Sequence, residues 1–446
     1  MSREMIERAL ARATDTKACL VGDGVLAETA GLYRELFPGA TRVVVVSDPR
    51  TRAAAGERAA ALLGSAGAQV SEHVIEPDGR TFHADYRYVD EVREALKAGG
   101  TAGLVPVAAG SGVVNDLVKR ASGELGIPYL TVATAASVDG YSSFGAALRS
   151  PEGAKQTYPC PAPRAIVADL DVMRTAPAWM AASGYADLMA KVPAGADWIL
   201  AYELGATEWH DGAWHTVQDS LKEALGDPEG VVAQRSAPLA RFVEGLMLGG
   251  FAMQDMQSSR PASGAEHLFS HLLEMRDHVF KGEIVPHGIQ VGVFTLFMCR
   301  VYEQIVAFDY SRLDVEACLA NWKPLAEQER LATAAFAGTK FPDIGVKAVR
   351  AKFVDRDAAR ARLEDFRARW PEIRARLEAQ LLPAAEVERR LRVVGAPTTP
   401  EGIGSTVEAS LADVRKTIYM RDRYMSLDFL DLTGQLDEFA ARAFGV

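Results

Sequence analysis

The sequence predicts an α/β domain with a parallel sheet, followed by a mostly α-helical domain. In the first third of the chain, short runs rich in Val and Ile alternate with helical patterns, as is typical of parallel α/β sheets. After Val172 the β-branched runs give way to Ala- and Leu-rich segments with i, i+3, i+4 spacing, for example 358–366 and 370–381. We therefore expect an α/β domain over 1–170 and a helical domain over 171–446.

The elements of the first domain follow from short apolar runs bounded by Gly, Pro or Asp. Strands are expected at 17–21, 42–47, 69–75, 103–108, 129–133 and 165–168, with helices between them, for example at 52–63 and 88–97. Two of these strands lead directly into loops of small residues, and ligands bind at that carboxyl edge of a parallel sheet.

The first of these loops, the glycine loop (residues 110–116), runs into a helical stretch at 115–122. Glycine there allows the backbone to approach a phosphate closely and to adopt positive φ, and the free amides and dipole of a helix N-terminus suit a pyrophosphate. A single Gly-x-Gly is more often a plain βα turn, so the spacing alone leaves both interpretations open.

The amino-acid composition limits the classes of function that this chain can have. With 446 residues, of which 48% are hydrophobic, the chain can bury a large core over two or three domains. The net charge of −10 argues against nucleic acid or an anionic membrane as a partner bound by bulk charge. The four cysteines show no Cys-x-x-Cys spacing, which fits a reducing cytoplasm. We expect neither a signal peptide at residues 1–13 nor a membrane span.

Histidines give a second signal, because four of the eight lie between residues 267 and 287. The spacing of His267 and His271 places both on one helix face, and His287 is expected in a loop at 285–288. With an acid from another helix, such imidazoles give a three-ligand metal site with an open position. A pair at this spacing is also common as an ordinary core or surface feature, and both interpretations stand on spacing alone.

Several motifs together resemble the sn-glycerol-1-phosphate dehydrogenase family of the iron-containing alcohol dehydrogenase and dehydroquinate synthase superfamily. They lie at 110–116, 134–141, 183–191 with Asp197-Trp198, 397–401 and 421–428. The resemblance implies a Rossmann-like domain followed by a dehydroquinate synthase-like helical domain. It also implies an NAD- or NADP-dependent, metal-dependent oxidoreductase that interconverts dihydroxyacetone phosphate and sn-glycerol 1-phosphate, a reaction of phospholipid metabolism.

The family's functional residues carry over by position. The metal ligands would be Asp187, His267 and His287, with Ala186 replacing the Gly that usually precedes the ligand Asp. Asp139 and His271 would contact the substrate, so that Asp187, His271 and Asp139 form the expected catalytic set. An Asx turn beside Gly140 is the alternative role of Asp139.

The resemblance also assigns the cofactor contacts, in the glycine loop and in the loop after the next strand. They are Gly110, Ser111, Gly112, Val113, Val114, Thr134, Ala135, Ala136, Ser137 and Ser143. Asp48 ends a strand, where it would bind a ribose hydroxyl or cap a helix that has Thr51 in its first turn. No phosphate anchor is identified; Lys155 and Lys191 are the candidates.

Three alternatives stay open beside this interpretation. A cyclase of the dehydroquinate synthase type shares the fold, but its first metal ligand is normally Glu. A dehydrogenase of an unphosphorylated polyol would use the same parts, and an inactive binding protein is disfavoured because every matched ligand position keeps a ligating side chain. The metal (Zn, Ni or Fe), the choice between NAD and NADP, and assembly, for example as a homodimer, stay open.

Overall fold

The computed structural model describes residues 2–78, 82–151, 153 and 155–446. The chain divides into two compact units, neither of which is continuous in sequence. The first unit comprises Met1–Leu188, Gly212–Ser259 and Val393–Ala396, and the second comprises Met189–Asp211, Arg260–Arg392 and Pro397–Val446.

The first unit contains a six-stranded parallel sheet, which confirms the predicted fold class. Antiparallel two-stranded pairs that the sequence did not reveal also occur. The strands are β1 Ala18–Gly22, β2 Arg42–Ser47, β3 Gln69–Val74, β4 Leu104–Gly110, β5 Leu130–Ala133, β6 Ala146–Arg149, β7 Lys155–Tyr158, β8 Ala165–Asp169, β9 Val279–Phe280 and β10 Glu283–Ile284. The sheet order is β1-β8-β5-β4-β2-β3, and the pairs are β6 with β7 and β9 with β10.

The central strands are apolar throughout because both faces of the sheet are covered. In β2, Val43 and Val45 belong to one buried cluster with residues of α2 (Thr29–Leu36). Val44 and Val46 belong to a second cluster, on the opposite face, with residues of α5 (Tyr86–Lys97). A run of four valines therefore forms a doubly buried strand.

Helices make up most of the remaining chain. In chain order they are α1 Ser2–Arg12, α2 Thr29–Leu36, α3 Pro49–Thr51, α4 Glu57–Ser65, α5 Tyr86–Lys97, α6 Gly112–Leu125, α7 Leu170–Met173, α8 Ala178–Met189, α9 Lys191–Glu203, α10 Asp211–Ala224, α11 Pro228–Val232, α12 Ser236–Met256, α13 Ala265–Met275, α14 His287–Ala307, α15 Val315–Leu319, α16 Leu325–Phe336, α17 Ile344–Lys352, α18 Arg356–Gln380, α19 Ala384–Val393, α20 Val407–Thr417, α21 Ser426–Thr433 and α22 Leu436–Phe444. Short 3₁₀ turns lie at Val25–Glu28, Tyr310–Arg312 and Pro400–Ile403, and Arg52–Gly56 is a π-helical turn.

Two local expectations differ from the structure. The patterns at 358–366 and 370–381 belong to the one helix α18, which continues through Pro371. His287 is the first residue of α14 rather than part of a loop, with Pro286 at its N-cap. The apolar run at 291–297 belongs to the same helix, and all of its residues are buried.

Leu170 follows the last strand of the sheet, whereas the first compact unit extends beyond it. The reason is α12, which returns late in the sequence to pack against α1 and β1. Its Gly250 lies so close to the Ser142 side chain and the Asp139 carbonyl that a Cβ would collide with both. The division of the chain into functional domains at Leu170 stays a prediction.

One helix in the described part of the chain, α14, is long and apolar enough to cross a membrane by those two criteria. Of its most apolar window, 72% is buried inside the protein. It is therefore a core helix of the second unit. All four cysteines are free thiols, and Cys19, Cys299 and Cys318 are buried.

Candidate active site

The glycine loop joins β4 to α6 in the first unit. Gly110 ends β4, Ser111 is the N-cap of α6 with extended backbone, and Gly112 is the first helical residue. The amide of Thr134, just past β5, donates to the carbonyl of Gly110 at 3.1 Å. Because the first amides of a helix have no partner within the helix, the start of α6 is suited to an anion.

The two glycines serve close packing and not an unusual backbone conformation. The expectation of positive φ is wrong, since Gly110 and Gly112 are not among the residues with positive φ. A Cβ on Gly112 would lie 2.7 Å from Cγ2 of Val138, and one on Gly110 would collide with the Val114 side chain. Glycine therefore lets the helix start lie directly against the second loop (residues 133–145).

The second loop is held by a buried lysine that the sequence analysis missed. Lys119 on α6 is fully buried, and its Nζ donates to the carbonyls of Gly140 at 2.7 Å, Ser143 at 2.9 Å and Gly145 at 3.1 Å. Asp116, one turn earlier on the helix, lies 3.6 Å from the same Nζ. The residues beside it on the same helix face are polar or small, so the sequence pattern gave no signal of a buried lysine.

The cofactor residues predicted in the second loop are all buried. Thr134, Ala135, Ala136 and Ser137 are each less than 10% exposed, and so is Ser143. The Tyr141 hydroxyl donates to the carbonyl of Ala135 at 2.8 Å, which closes the loop on itself. Because these side chains are small, backbone atoms form most of this edge of the sheet.

Asp139 and Asp187 come together in the first unit. Asp187, near the end of α8, is only 1% exposed, and its Oδ2 accepts a hydrogen bond from the amide of Asp139 at 3.3 Å. Helix α8 can approach the second loop because Gly184 faces the Ala136 carbonyl at a distance that excludes any Cβ. The Asp187 carboxylate therefore fixes the backbone at Asp139.

At Asp48 the structure shows the helix-capping alternative. Its Oδ1 accepts hydrogen bonds from the amides of Arg50 at 2.8 Å and Thr51 at 3.1 Å, and the Thr51 hydroxyl donates to Oδ2 at 3.0 Å. The amide of Asp48 in turn donates to the Thr51 hydroxyl, which completes a capping box. The ribose contact stays a prediction.

The second unit gathers three imidazoles, the histidine cluster (His267, His271 and His287). His267 and His271 lie one turn apart on α13, and His287 begins α14. The ring centroids of His267 and His287 are 5.4 Å apart, those of His271 and His287 are 5.8 Å apart, and those of His267 and His271 are 6.4 Å apart.

Carboxylates that the sequence analysis did not assign contact all three rings. Nδ1 of His267 lies 2.8 Å from Oε1 of Glu266, and Nδ1 of His287 lies 3.1 Å from Oε1 of Glu274. An imidazole that donates its Nδ1 proton to a carboxylate presents Nε2 as a ligand, which is the usual second shell of a metal-binding histidine. The observed contacts therefore fit metal ligation by His267 and His287.

His271 has a different environment. Its Nδ1 lies 3.3 Å from Oε2 of Glu274, while Nη2 of Arg421 donates to Nε2 at 3.1 Å. Burial, reinforced by the positive charge of Arg421, lowers the pKa of His271 to about 3. His271 is therefore a neutral ring with Nε2 directed at a guanidinium.

Asp197 anchors this region of the second unit. It is 1% exposed and accepts hydrogen bonds from the Tyr302 hydroxyl at 2.6 Å and from the amides of Ser426 at 3.0 Å and Ala265 at 2.7 Å. Burial raises the pKa of Asp197 above its ordinary value. The start of the histidine-bearing helix and the start of α21 are thus tied to one carboxylate.

The two lysines considered as phosphate anchors give no support to that role. Lys191, the first residue of α9, is fully buried, and the side chain of Lys155 lies outside the described part of the chain.

Comparison with known proteins places these features in a family context. Residues 20–177 match the family model described as iron-containing alcohol dehydrogenase. Glycerol-1-phosphate dehydrogenase [NAD(P)+] of Methanothermobacter thermautotrophicus is 34% identical over 290 residues, which cover 63% of this chain and 76% of that protein. The protein of the same name from Bacillus licheniformis is 32% identical over 59% of this chain, and the match spans 65% of its length, just under two thirds.

Solved structures extend the similarity of fold to nearly the whole chain. A probable glycerol dehydrogenase from Sinorhizobium meliloti 1021 superposes with a TM-score of 0.58 at 16% sequence identity, covering 97% of this chain and 98% of that chain. At that identity the likeness shows the fold alone. It includes the helical second unit, beyond the residues matched by the family model.

Proposed function

Because this chain belongs to the glycerol-1-phosphate dehydrogenase family, we propose that it is an NAD- or NADP-dependent, metal-dependent oxidoreductase. The reaction is the interconversion of dihydroxyacetone phosphate and sn-glycerol 1-phosphate. The similarity to relatives that bear that name carries the proposal, and the chemistry of the glycine loop and of the histidine cluster supports it.

The proposed metal ligands are Asp187, His267 and His287. Each offers one ligand atom, a carboxylate oxygen or an imidazole nitrogen, and such a set suits Zn, Ni or Fe. The contacts of the two imidazoles with Glu266 and Glu274 support the assignment, because they fix the tautomer that leaves Nε2 for the ion.

The proposed cofactor site consists of the glycine loop and the second loop. The N-terminus of α6 would receive the pyrophosphate, and the buried small residues from Thr134 to Ser137 would allow a dinucleotide to lie against the backbone. A dinucleotide held there would supply or accept hydride, and a divalent ion held by Asp187, His267 and His287 would act as a Lewis acid toward the substrate oxygen. The protein then has to hold the three-carbon substrate in one orientation.

Orientation of the substrate is the role we assign to Asp139 and His271. A carboxylate at Asp139 accepts hydrogen bonds from glycerol hydroxyls, and its backbone is already fixed through Asp187. His271 is neutral and is linked to Arg421. Alignment of this kind contributes to rate because it converts a bimolecular encounter into an oriented one.

The assay that tests the proposal measures oxidation of NADH and NADPH by the purified chain. Dihydroxyacetone phosphate, dihydroxyacetone and glyceraldehyde 3-phosphate are compared, each with and without a chelator. We expect dihydroxyacetone phosphate to be reduced with by far the highest kcat/KM, and the chelator to abolish the rate. Equal efficiencies with dihydroxyacetone would favour the unphosphorylated-polyol alternative, and inactivity with all three would contradict the proposed function.

We also propose a cytoplasmic location for the enzyme, since its four cysteines are free thiols. The proposed partner is a small phosphorylated substrate. Neither nucleic acid nor membrane is among the proposed partners, because the chain is acidic overall. A homodimer stays an open expectation about assembly.

A further inference from the structure

A group of guanidinium side chains lies beside the histidine cluster in the second unit and has no role in the account above. We call it the arginine cluster (Arg260, Arg421 and Arg423). Arg260 precedes α13, and the other two lie between α20 and α21. All three are partly buried and keep some accessible surface. Charged side chains in this position are enclosed by protein yet open to a small ligand.

Two contacts that orient members of the cluster are with uncharged groups. Nη1 of Arg423 donates to the carbonyl of Ser263 at 3.0 Å, and Nη2 of Arg421 donates to Nε2 of the neutral His271 at 3.1 Å. These two bonds orient the guanidiniums of Arg423 and Arg421, and they join both to the segment and helix that carry the histidine cluster. The first bond ties Arg423 to the residue just before the N-cap of α13, the helix that carries His267 and His271.

The charges within the cluster act on one another. Burial lowers the pKa of Arg423 well below its ordinary value, and the positive charges of Arg421 and Arg260 lower it further. Burial also lowers the pKa of Arg421, and it lowers that of Arg260 to about 10. The charges of nearby carboxylates act in the opposite direction but do not outweigh the effect of burial.

Two of the three acids that act on Arg260 are already bound to other groups. Asp197 is held by the Tyr302 hydroxyl and two backbone amides. Asp428 pairs with Nζ of Lys352 at 2.5 Å and accepts the Met425 amide at 3.0 Å. A ligand bearing two negative charges would compensate the cluster more fully than these acids do.

A buried hydroxyl adds a second, independent observation. The Oγ of Ser263 belongs to a residue only 6% exposed and has no hydrogen-bond partner among the residues that the structure describes. Buried polar groups are normally hydrogen-bonded, so an unsatisfied hydroxyl indicates a missing partner. The backbone carbonyl of the same Ser263 accepts the hydrogen bond from Arg423.

We propose that Arg260, Arg421 and Arg423, with the Ser263 hydroxyl, form the subsite that binds the phosphate group of the substrate. Guanidinium groups match phosphate oxygens in geometry as well as charge, and the link from Arg421 to His271 joins this subsite to the histidine cluster. The inference rests on the proposed function and deepens it: the substrate class is a phosphomonoester, and the arginine cluster selects it.

The test compares Arg423→Gln, Arg423→Lys and the control Arg442→Gln in the full-length, metal-loaded chain. Arg442 is also a second-unit arginine, but it is exposed and paired with Glu438. We expect Arg423→Gln to lower kcat/KM for dihydroxyacetone phosphate about 100-fold, because it removes a charge-assisted bond to the ligand. The value for dihydroxyacetone should change less than about threefold, and Arg423→Lys should be intermediate because lysine lacks the planar fork. The control should match the wild type on both substrates.

A binding measurement separates this inference from the proposed function. Inorganic phosphate and glycerol 1-phosphate are titrated into each variant by isothermal calorimetry, with melting temperature as the check on folding. Loss of both affinities in folded Arg423→Gln supports the phosphate subsite even if the wild type proves inactive, in which case the proposed function alone fails. If folded Arg423→Gln binds phosphate as the wild type does, or keeps the preference for the phosphorylated substrate, the subsite assignment is wrong.

Discussion

The two units form their candidate functional regions by different means. In the first unit, the loops after β4 and β5 begin with small residues, and we propose that their backbone contacts the cofactor. In the second unit, imidazoles, carboxylates and guanidiniums from α13, α14 and the segment after α20 lie side by side. A cofactor common to many enzymes can be bound by backbone, whereas an ion and a specific substrate need particular side chains. Substitutions in the second unit should therefore impair catalysis most.

The largest expected effect is that of His287→Ala. If His287 is one of three protein ligands, its removal leaves too few donors to hold the ion. We expect turnover to be abolished and bound metal, measured by plasma mass spectrometry, to fall well below one ion per chain. His267→Ala should behave in the same way, because Nδ1 of His267 likewise contacts a carboxylate, that of Glu266.

The affinity for NADH is the control measurement for His287→Ala and His267→Ala. The first unit contains the proposed dinucleotide site, so NADH affinity measured by fluorescence should stay within about threefold of the wild type. Full metal occupancy with a normal rate in either variant would contradict the ligand assignment.

The next largest effect is expected for His271→Ala, which separates two roles within one helix. His271 is linked to Arg421 and not assigned to the ion, so the variant should keep its metal while kcat/KM for dihydroxyacetone phosphate falls about 100-fold. Since the pKa of His271 is lowered to about 3, the ring stays neutral across the neutral pH range. The pH profiles of kcat/KM for the wild type and for His271→Ala should therefore show the same inflections.

Metal analysis decides between this assignment and its reverse. Loss of metal in His271→Ala with retention in His267→Ala would show that the pair is assigned the wrong way round. If instead only the melting temperature falls and the kinetics per folded molecule are unchanged, His271 is an ordinary core histidine.

The corresponding probe of the first unit is Lys119→Met. The change removes the donor to three loop carbonyls from a fully buried position, so we expect unfolding in urea to require about 3 kcal/mol less free energy. The control Lys97→Met removes an exposed lysine paired with Glu94, where surface pairs contribute about 0–1 kcal/mol. Equal stability of the two variants would contradict the anchoring role of Lys119.

The comparison also explains what the sequence could and could not predict. The parallel sheet was predictable, because strand and turn signals are local and β2 is a plain run of valines. Helix α12 was not assigned to the first unit, because its packing against α1 and β1 depends on contacts across most of the chain. In the second unit the helical spacing of His267 and His271 was visible, but the pairing of His287 with Glu274 and of Arg421 with His271 requires the fold. Arg421 and Arg423 belong to the family-like motif at 421–428. Nothing in their spacing, however, showed that they would lie beside Arg260.

The smallest expected effect concerns the close approach of α6 to the second loop, and it tests whether backbone packing carries cofactor binding in the first unit. A Cβ on Gly112 would lie 2.7 Å from Cγ2 of Val138, so Gly112→Ala forces the helix start and the loop apart at a cost of about 1–3 kcal/mol. We expect KM for NADH to rise about tenfold with metal content unchanged, measured by steady-state kinetics and metal analysis. The double variant Gly112→Ala with Val138→Ala removes the atom that collides, and it should recover most of the lost affinity. If the second substitution gives no recovery, the added methyl group acts on the bound cofactor itself and not on the packing of helix against loop.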